Sequence, residues 1–175
     1  MRLFIAINFN NDTKARLLGL RDKLKEKAVK GDFSLAENMH LTLVFLGECD
    51  GKQAAVVKSV MDEVNFKPFE AAIGRVGRFR RDGGDVWWAG VQESEPLLEL
   101  QRELTDKLAA KGFDIEKRKY SPHITLGRRV TADVLPENIE AFGERICAFE
   151  LMKSERVNGR MVYTEIHKST GKNYD

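Results

Sequence analysis

One short pattern occurs twice, and it limits what this chain can be more than any other feature. Met39-His40-Leu41-Thr42-Leu43 and Pro122-His123-Ile124-Thr125-Leu126 both read His-apolar-Thr-apolar. On an extended strand successive side chains point to opposite faces, so His40 and Thr42 share one face while Leu41 and Leu43 share the other. His123 and Thr125 are expected to behave alike, backed by Ile124 and Leu126. Each copy presents an imidazole beside a hydroxyl on a strand whose reverse face can be buried. The copies lie 83 residues apart, close to half of the 175-residue chain.

A single His-x-Thr is usually an ordinary strand histidine satisfied by local hydrogen bonds. The matched pair instead argues for a shared task. The third histidine, in His167-Lys168-Ser169, has polar neighbours near the chain end and is expected on the solvent-exposed surface.

The rest of the chain fits one domain over residues 1–175, made of two intertwined lobes and long enough to bury a core. A composition of 42% hydrophobic and 32% charged residues is that of a globular protein. A net charge of +2 creates no strong overall field, so a polyanion has to be met by local clusters. Arg75, Arg78, Arg80 and Arg81 form one such cluster, and Lys117, Arg118, Lys119, Arg128 and Arg129 flank the second motif. Either is a solvated face or a phosphate contact. Cys49 and Cys147 form neither a metal-ligand pair nor a disulfide framework and fit a reducing cytoplasm. The opening Met1-Arg2-Leu3-Phe4-Ile5-Ala6-Ile7 is too short for a signal core, and no apolar run approaches membrane-spanning length. A cytoplasmic location without membrane association is expected.

Periodicity and punctuation place the elements. Residues 2–9 read as a strand and 12–29 as an amphipathic helix carrying Leu17, Leu20 and Leu24. The first motif strand runs from His40 to Leu46. Asp50 with Gln53 forms a capping box for a helix bearing Ala54, Val57, Val60 and Met61. Phe66 to Val76 returns as strand, residues 77–84 form a glycine-rich basic turn, and 85–91 complete a hairpin. Pro96 opens the longest helix, with Leu97, Leu100, Leu104 and Leu108 as its stripe and Gly112 as its stop. After the second motif strand a short helix is expected over 136–143, started by Pro136. Strands near 145–154 and 160–167 and a polar tail follow.

The halves then compare as helix, motif strand, further helix and hairpin. Phe69-Glu70 begins one hairpin 29 residues after His40, and Phe149-Glu150 begins the other 26 residues after His123. Two such copies indicate a pseudo-twofold pair of lobes rather than a stacked array. Hairpins outnumber crossover units, which gives an α+β fold with two antiparallel sheets lining a central cleft and helices outside.

Two imidazoles suit paired general acid–base work, because their ordinary pKa of about 6.5 lets both protonation states coexist near neutrality. One takes a proton from a nucleophile while the other gives one to a leaving group, which fits displacement at phosphorus. The threonine hydroxyls, with a nearby arginine, would hold the non-bridging oxygens. Neither motif supplies Asp, Glu or Cys at metal-ligand spacing, so no metal or other cofactor is expected. A Ser-His-Asp reading lacks its Gly-x-Ser-x-Gly context.

These residues resemble the 2H phosphoesterase superfamily, closest to the RNA 2′,3′-cyclic phosphodiesterases historically called 2′-5′ RNA ligases. The resemblance is carried by Arg2-Leu3-Phe4-Ile5-Ala6-Ile7, His40 to Gly47, Gly77-Arg78-Phe79, Val86 to Val91 and Pro122 to Arg128, with Gly127 where the family often has alanine. It implies a bilobal, LigT-like fold and hydrolysis of an RNA terminal 2′,3′-cyclic phosphate to a 2′-phosphate, with reversible 2′-5′ RNA ligation as a second implied activity. It further implies His40 as proton donor to the departing 3′-oxygen and His123 as proton acceptor from water. Thr42, Thr125 and Arg128 would bind phosphate, and Tyr120 or Phe9 could stack on a base. The expected partner is the RNA end, with the chain working as a monomer. Two rival readings keep the same site: a cyclic phosphodiesterase of small nucleotides, and a non-catalytic RNA-end binder.

Overall fold

The computed structural model describes residues 1–172, and residues 173–175 of the expected polar tail lie outside them. Strand β1 (Arg2–Asn8) leads into helix α1 (Asn11–Lys27), which starts where the Asn10 side chain accepts a 2.8 Å hydrogen bond from the Thr13 N–H. Strand β2 (Ala28–Phe33), a single 3₁₀ turn (Ala36–Asn38) and the motif strand β3 (His40–Glu48) follow. Helix α2 (Gly51–Glu63) begins at the expected capping box, with the Asp50 and Gln53 side chains each accepting from the other's backbone N–H at 2.8 and 2.9 Å. Then come β4 (Phe69–Phe79), β5 (Asp85–Val91), α3 (Glu95–Ala110), the second motif strand β6 (His123–Ala132), β7 (Glu137–Ile146), β8 (Ala148–Val157) and β9 (Arg160–Thr170).

The strands form two fully antiparallel sheets, one ordered β3-β1-β8-β9 and the other β2-β6-β5-β4-β7. Each sheet contains the same row: a motif strand followed by three antiparallel partners, β3-β1-β8-β9 in the first and β6-β5-β4-β7 in the second. The chain makes β1 in the first sheet, β2 in the second and β3 in the first, then crosses to make β4 through β7 and returns for β8 and β9, so the first sheet draws on both ends of the sequence and the second on its middle. The internal likeness is strand, helix, motif strand: β1-α1-β3 matches β5-α3-β6.

One face of each sheet is covered by helices. Leu97, Leu100, Leu104 and Leu108 of α3 are all at most 1% exposed, and each such burial contributes about 1.5–3 kcal/mol. They pack with Leu3, Ile5 and Ile7 of β1, Leu41 and Leu43 of β3, Ile124 and Leu126 of β6, and Trp87. Helix α3 contacts both β3 and β4, so it bridges the two sheets. Among the described residues no helix is long and apolar enough to cross a membrane.

Four sequence expectations need correction. Residues 136–143 are not a helix but belong to strand β7, paired with β4 from Phe69↔Ile146 to Val76↔Glu137. The second half therefore lacks the further helix that the repeat had suggested. Helix α1 stops at Lys27, and 28–33 form β2 along the edge of β6. Strand β4 runs on to Phe79, which shortens the basic turn to residues 80–84. His167 is half-buried rather than exposed, with Nε2 2.8 Å from Asp62 Oδ1, while Ser169 donates to the same oxygen.

Candidate active site

The strand alternation places the motif residues as expected. Leu41, Leu43, Ile124 and Leu126 are buried on the helix-covered faces, and His40, Thr42, His123 and Thr125 are half-exposed on the opposite ones. Strands β3 and β6 touch where the two sheets meet. The Tyr120 hydroxyl crosses this seam to donate a 2.7 Å hydrogen bond to the Thr42 carbonyl. Both histidines and both threonines are thus brought to one junction.

The imidazoles are oriented alike. His40 Nδ1 lies 2.8 Å from the Asn38 carbonyl oxygen and His123 Nδ1 lies 2.7 Å from that of Ser121. A carbonyl only accepts, so each Nδ1 carries the proton and each Nε2 is left for chemistry. In both cases the orienting carbonyl sits two residues before the histidine. At His40 the Thr42 hydroxyl reaches Nε2 at 3.0 Å. Among the described residues His123 Nε2 has no such partner.

Aromatic rings fix the imidazoles from the sides. Phe4 and Tyr163 stand 4.8 and 5.1 Å from His40, centroid to centroid. Phe79 is 5.0 Å from His123 at right angles, and Trp88 is 6.4 Å away. The indole of Trp88 lies over Gly77, where an added Cβ would come within 2.3 Å of it. Sequence reasoning missed these four aromatics, since a strand aromatic looks the same whether it packs in the core or against a catalytic ring. Of the two aromatics singled out for stacking, Phe9 is buried in the core and Tyr120 instead uses its hydroxyl as a tether.

Burial lowers the pKa of His40 below its ordinary value, opposed by the Asn38 carbonyl and reinforced by the charges of Arg128, His123 and Lys14. Burial likewise lowers His123, opposed by the Ser121 carbonyl and reinforced by Arg128. Arg128 thus acts electrostatically on both rings. The arginine cluster divides differently: Arg78 lies over the Trp87 ring, and Asp85 pairs with both Arg78 and Arg80. Arg129 is paired with Asp32. Burial also raises the pKa of Glu150, which accepts hydrogen bonds from Asn8 beside the His40 strand. No group of three or more His, Cys, Asp or Glu among the described residues is disposed to hold a metal.

Comparisons with known proteins point one way. A family model described as the 2′-5′ RNA ligase superfamily matches residues 14–158. A curated RNA 2′,3′-cyclic phosphodiesterase of Thermotoga maritima is 36% identical over 131 residues, covering 73% of this chain and 70% of its own length. A protein of the same name from Methanothermobacter thermautotrophicus is 30% identical over 178 residues, covering 95% and 96%. Among solved structures, Escherichia coli LigT complexed with 3′-AMP superposes with a TM-score of 0.86 at 26% identity, over 98% of each chain.

Proposed function

Since the chain belongs to the 2′-5′ RNA ligase superfamily, we propose that His40 and His123 are the acid–base pair with which it works. Its activity is hydrolysis of an RNA terminal 2′,3′-cyclic phosphate, as in its relatives. His123 Nε2 takes the proton of a water molecule as the water oxygen attacks phosphorus. The bond from phosphorus to the 3′-oxygen breaks in line, and His40 Nε2–H gives that oxygen its proton. The product is a 2′-phosphate. Thr42, Thr125 and Arg128 hold the non-bridging oxygens, where charge grows in the transition state. After turnover the two imidazoles have exchanged protonation states and reset through solvent.

The observation that carries this reading is the matched Nδ1–carbonyl bond at each histidine, which spends Nδ1 and leaves Nε2 for chemistry, unpartnered among the described residues at His123 and met only by the Thr42 hydroxyl at His40. A histidine that serves only structure has no need of an unspent nitrogen. The test is to incubate an RNA oligonucleotide ending in a 2′,3′-cyclic phosphate with the protein in excess chelator. A 2′-phosphate end at undiminished rate is expected. A 3′-phosphate end, or activity lost to the chelator, would overturn the mechanism.

A further inference from the structure

The surroundings of the two histidines are unequal. Beside His40 stand the rings of Phe4 and Tyr163, and the same sheet carries the buried carboxylate Glu150. Beside His123 a groove of about 330 Å³ runs away across the other sheet. Its course follows from strand register: His123 pairs with Gly90 on β5, and Arg75 on β4 pairs with both Gly90 and Asn138 on β7. Residues directly opposite one another share a face, so these four form one row leading outward from the imidazole. Gly90 leaves the floor without a side chain, the Trp88 indole flanks it, and Gln92 and Ser121 complete the lining.

Charge along the row is simple. Arg75 is exposed and has no ion-pair partner among the described residues, and neither has Glu93, the one carboxylate that lines the groove. At about 4.7–4.9 Å per strand, Arg75 sits two strands, or about 10 Å, from the reacting centre along the backbone. That leaves room for a nucleoside between them, its base against the Trp88 indole and its next phosphate at Arg75.

In-line displacement puts the nucleophile on the base's side of phosphorus and the leaving oxygen on the acid's side. We propose that this groove is the subsite for an attacking RNA 5′-hydroxyl nucleoside, and that Arg75 sets how often RNA rather than water is the nucleophile. The inference rests on the acid–base assignment above. In the step, the 5′-oxygen bonds to phosphorus and its proton passes to His123 Nε2. The bond to the 3′-oxygen breaks, and His40 supplies that oxygen's proton. The product is a 2′,5′-phosphodiester with a free 3′-hydroxyl, and no co-reactant is consumed.

The test supplies the wild-type protein, Arg75→Ala and Arg75→Lys with a cyclic-phosphate oligonucleotide and a 5′-hydroxyl oligonucleotide, and measures joined against hydrolysed product. The ratio should fall at least about tenfold in Arg75→Ala, as expected for losing a charged contact, and largely recover in Arg75→Lys, with hydrolysis kcat/KM unchanged in both. Hydrolysis falling in step with joining would place the donor strand in the groove and overturn the proposal. An unchanged ratio would also overturn it, as would a wild-type protein that hydrolyses but never joins. Failure of wild-type hydrolysis would instead sink the acid–base reading itself.

Discussion

The Tyr120 hydroxyl donates a 2.7 Å hydrogen bond to the Thr42 carbonyl, tying the segment before one motif strand to the start of the other. Burial raises the phenol's pKa, so it stays a neutral donor throughout the working range. The bond links the segment leading into His123 to the strand that carries His40. Tyr120→Phe should cost about 1 kcal/mol of stability and lower kcat several-fold, read by denaturant unfolding and steady-state kinetics. Unchanged kcat would show that the seam is held by packing alone.

Thr42 and Thr125 are equivalent in sequence but not in their contacts, since only Thr42 bonds its histidine's Nε2. Either Thr→Ala change should cost about 1–3 kcal/mol of transition-state stabilisation. Only Thr42→Ala should also move a limb of the pH profile, because it removes a hydroxyl that bonds the titrating nitrogen. Identical profiles for the two variants would contradict this asymmetry.

The pH dependence has a definite sign. Burial and Arg128 hold both imidazoles below the ordinary histidine value, which favours their neutral forms. The acid must be protonated, so activity falls as pH rises through the pKa of His40. The base must be neutral, so activity grows as pH rises through that of His123. Both limbs lie below the usual value of about 6.5, and the kcat/KM maximum should be mildly acidic. Arg128→Gln removes a positive charge that acts on both rings, so the whole bell should shift to higher pH while KM rises. A shift to lower pH would show that the guanidinium is not the charge they feel.

The motif strands were legible because a period of two is unambiguous once an apolar residue follows each polar one. The Asp50–Gln53 cap was legible for a similar reason: it is a local bond between residues three apart. Strand β7 was not. Ile139 and Phe142 stand three apart after Pro136, the spacing of a helix start. What makes them strand is remote pairing with β4, which no local window contains. The partners of the imidazoles were hidden likewise, since Phe4, Phe79, Trp88 and Tyr163 reach the histidines from four other strands or strand ends.

Gly143 carries the consequence of that remote pairing. A Cβ there would come within 1.8 Å of the Ala71 carbonyl oxygen, a backbone atom with little freedom to move. Gly143→Ala should therefore destabilise the fold by at least about 1–3 kcal/mol, the range for overpacking. Thermal or denaturant unfolding would read this, and a variant as stable as the parent would mean that β7 does not lie against β4 as described.

The central claim is that two histidines, one from each motif, share a single displacement at phosphorus. It is tested most directly by comparing kcat of His40→Ala and His123→Ala with the parent on an RNA oligonucleotide ending in a 2′,3′-cyclic phosphate, with circular dichroism confirming that both variants fold. Each change should slow turnover by roughly two to four orders of magnitude and leave the spectrum intact. A folded variant of either kind that turns over near the parent rate would contradict the account.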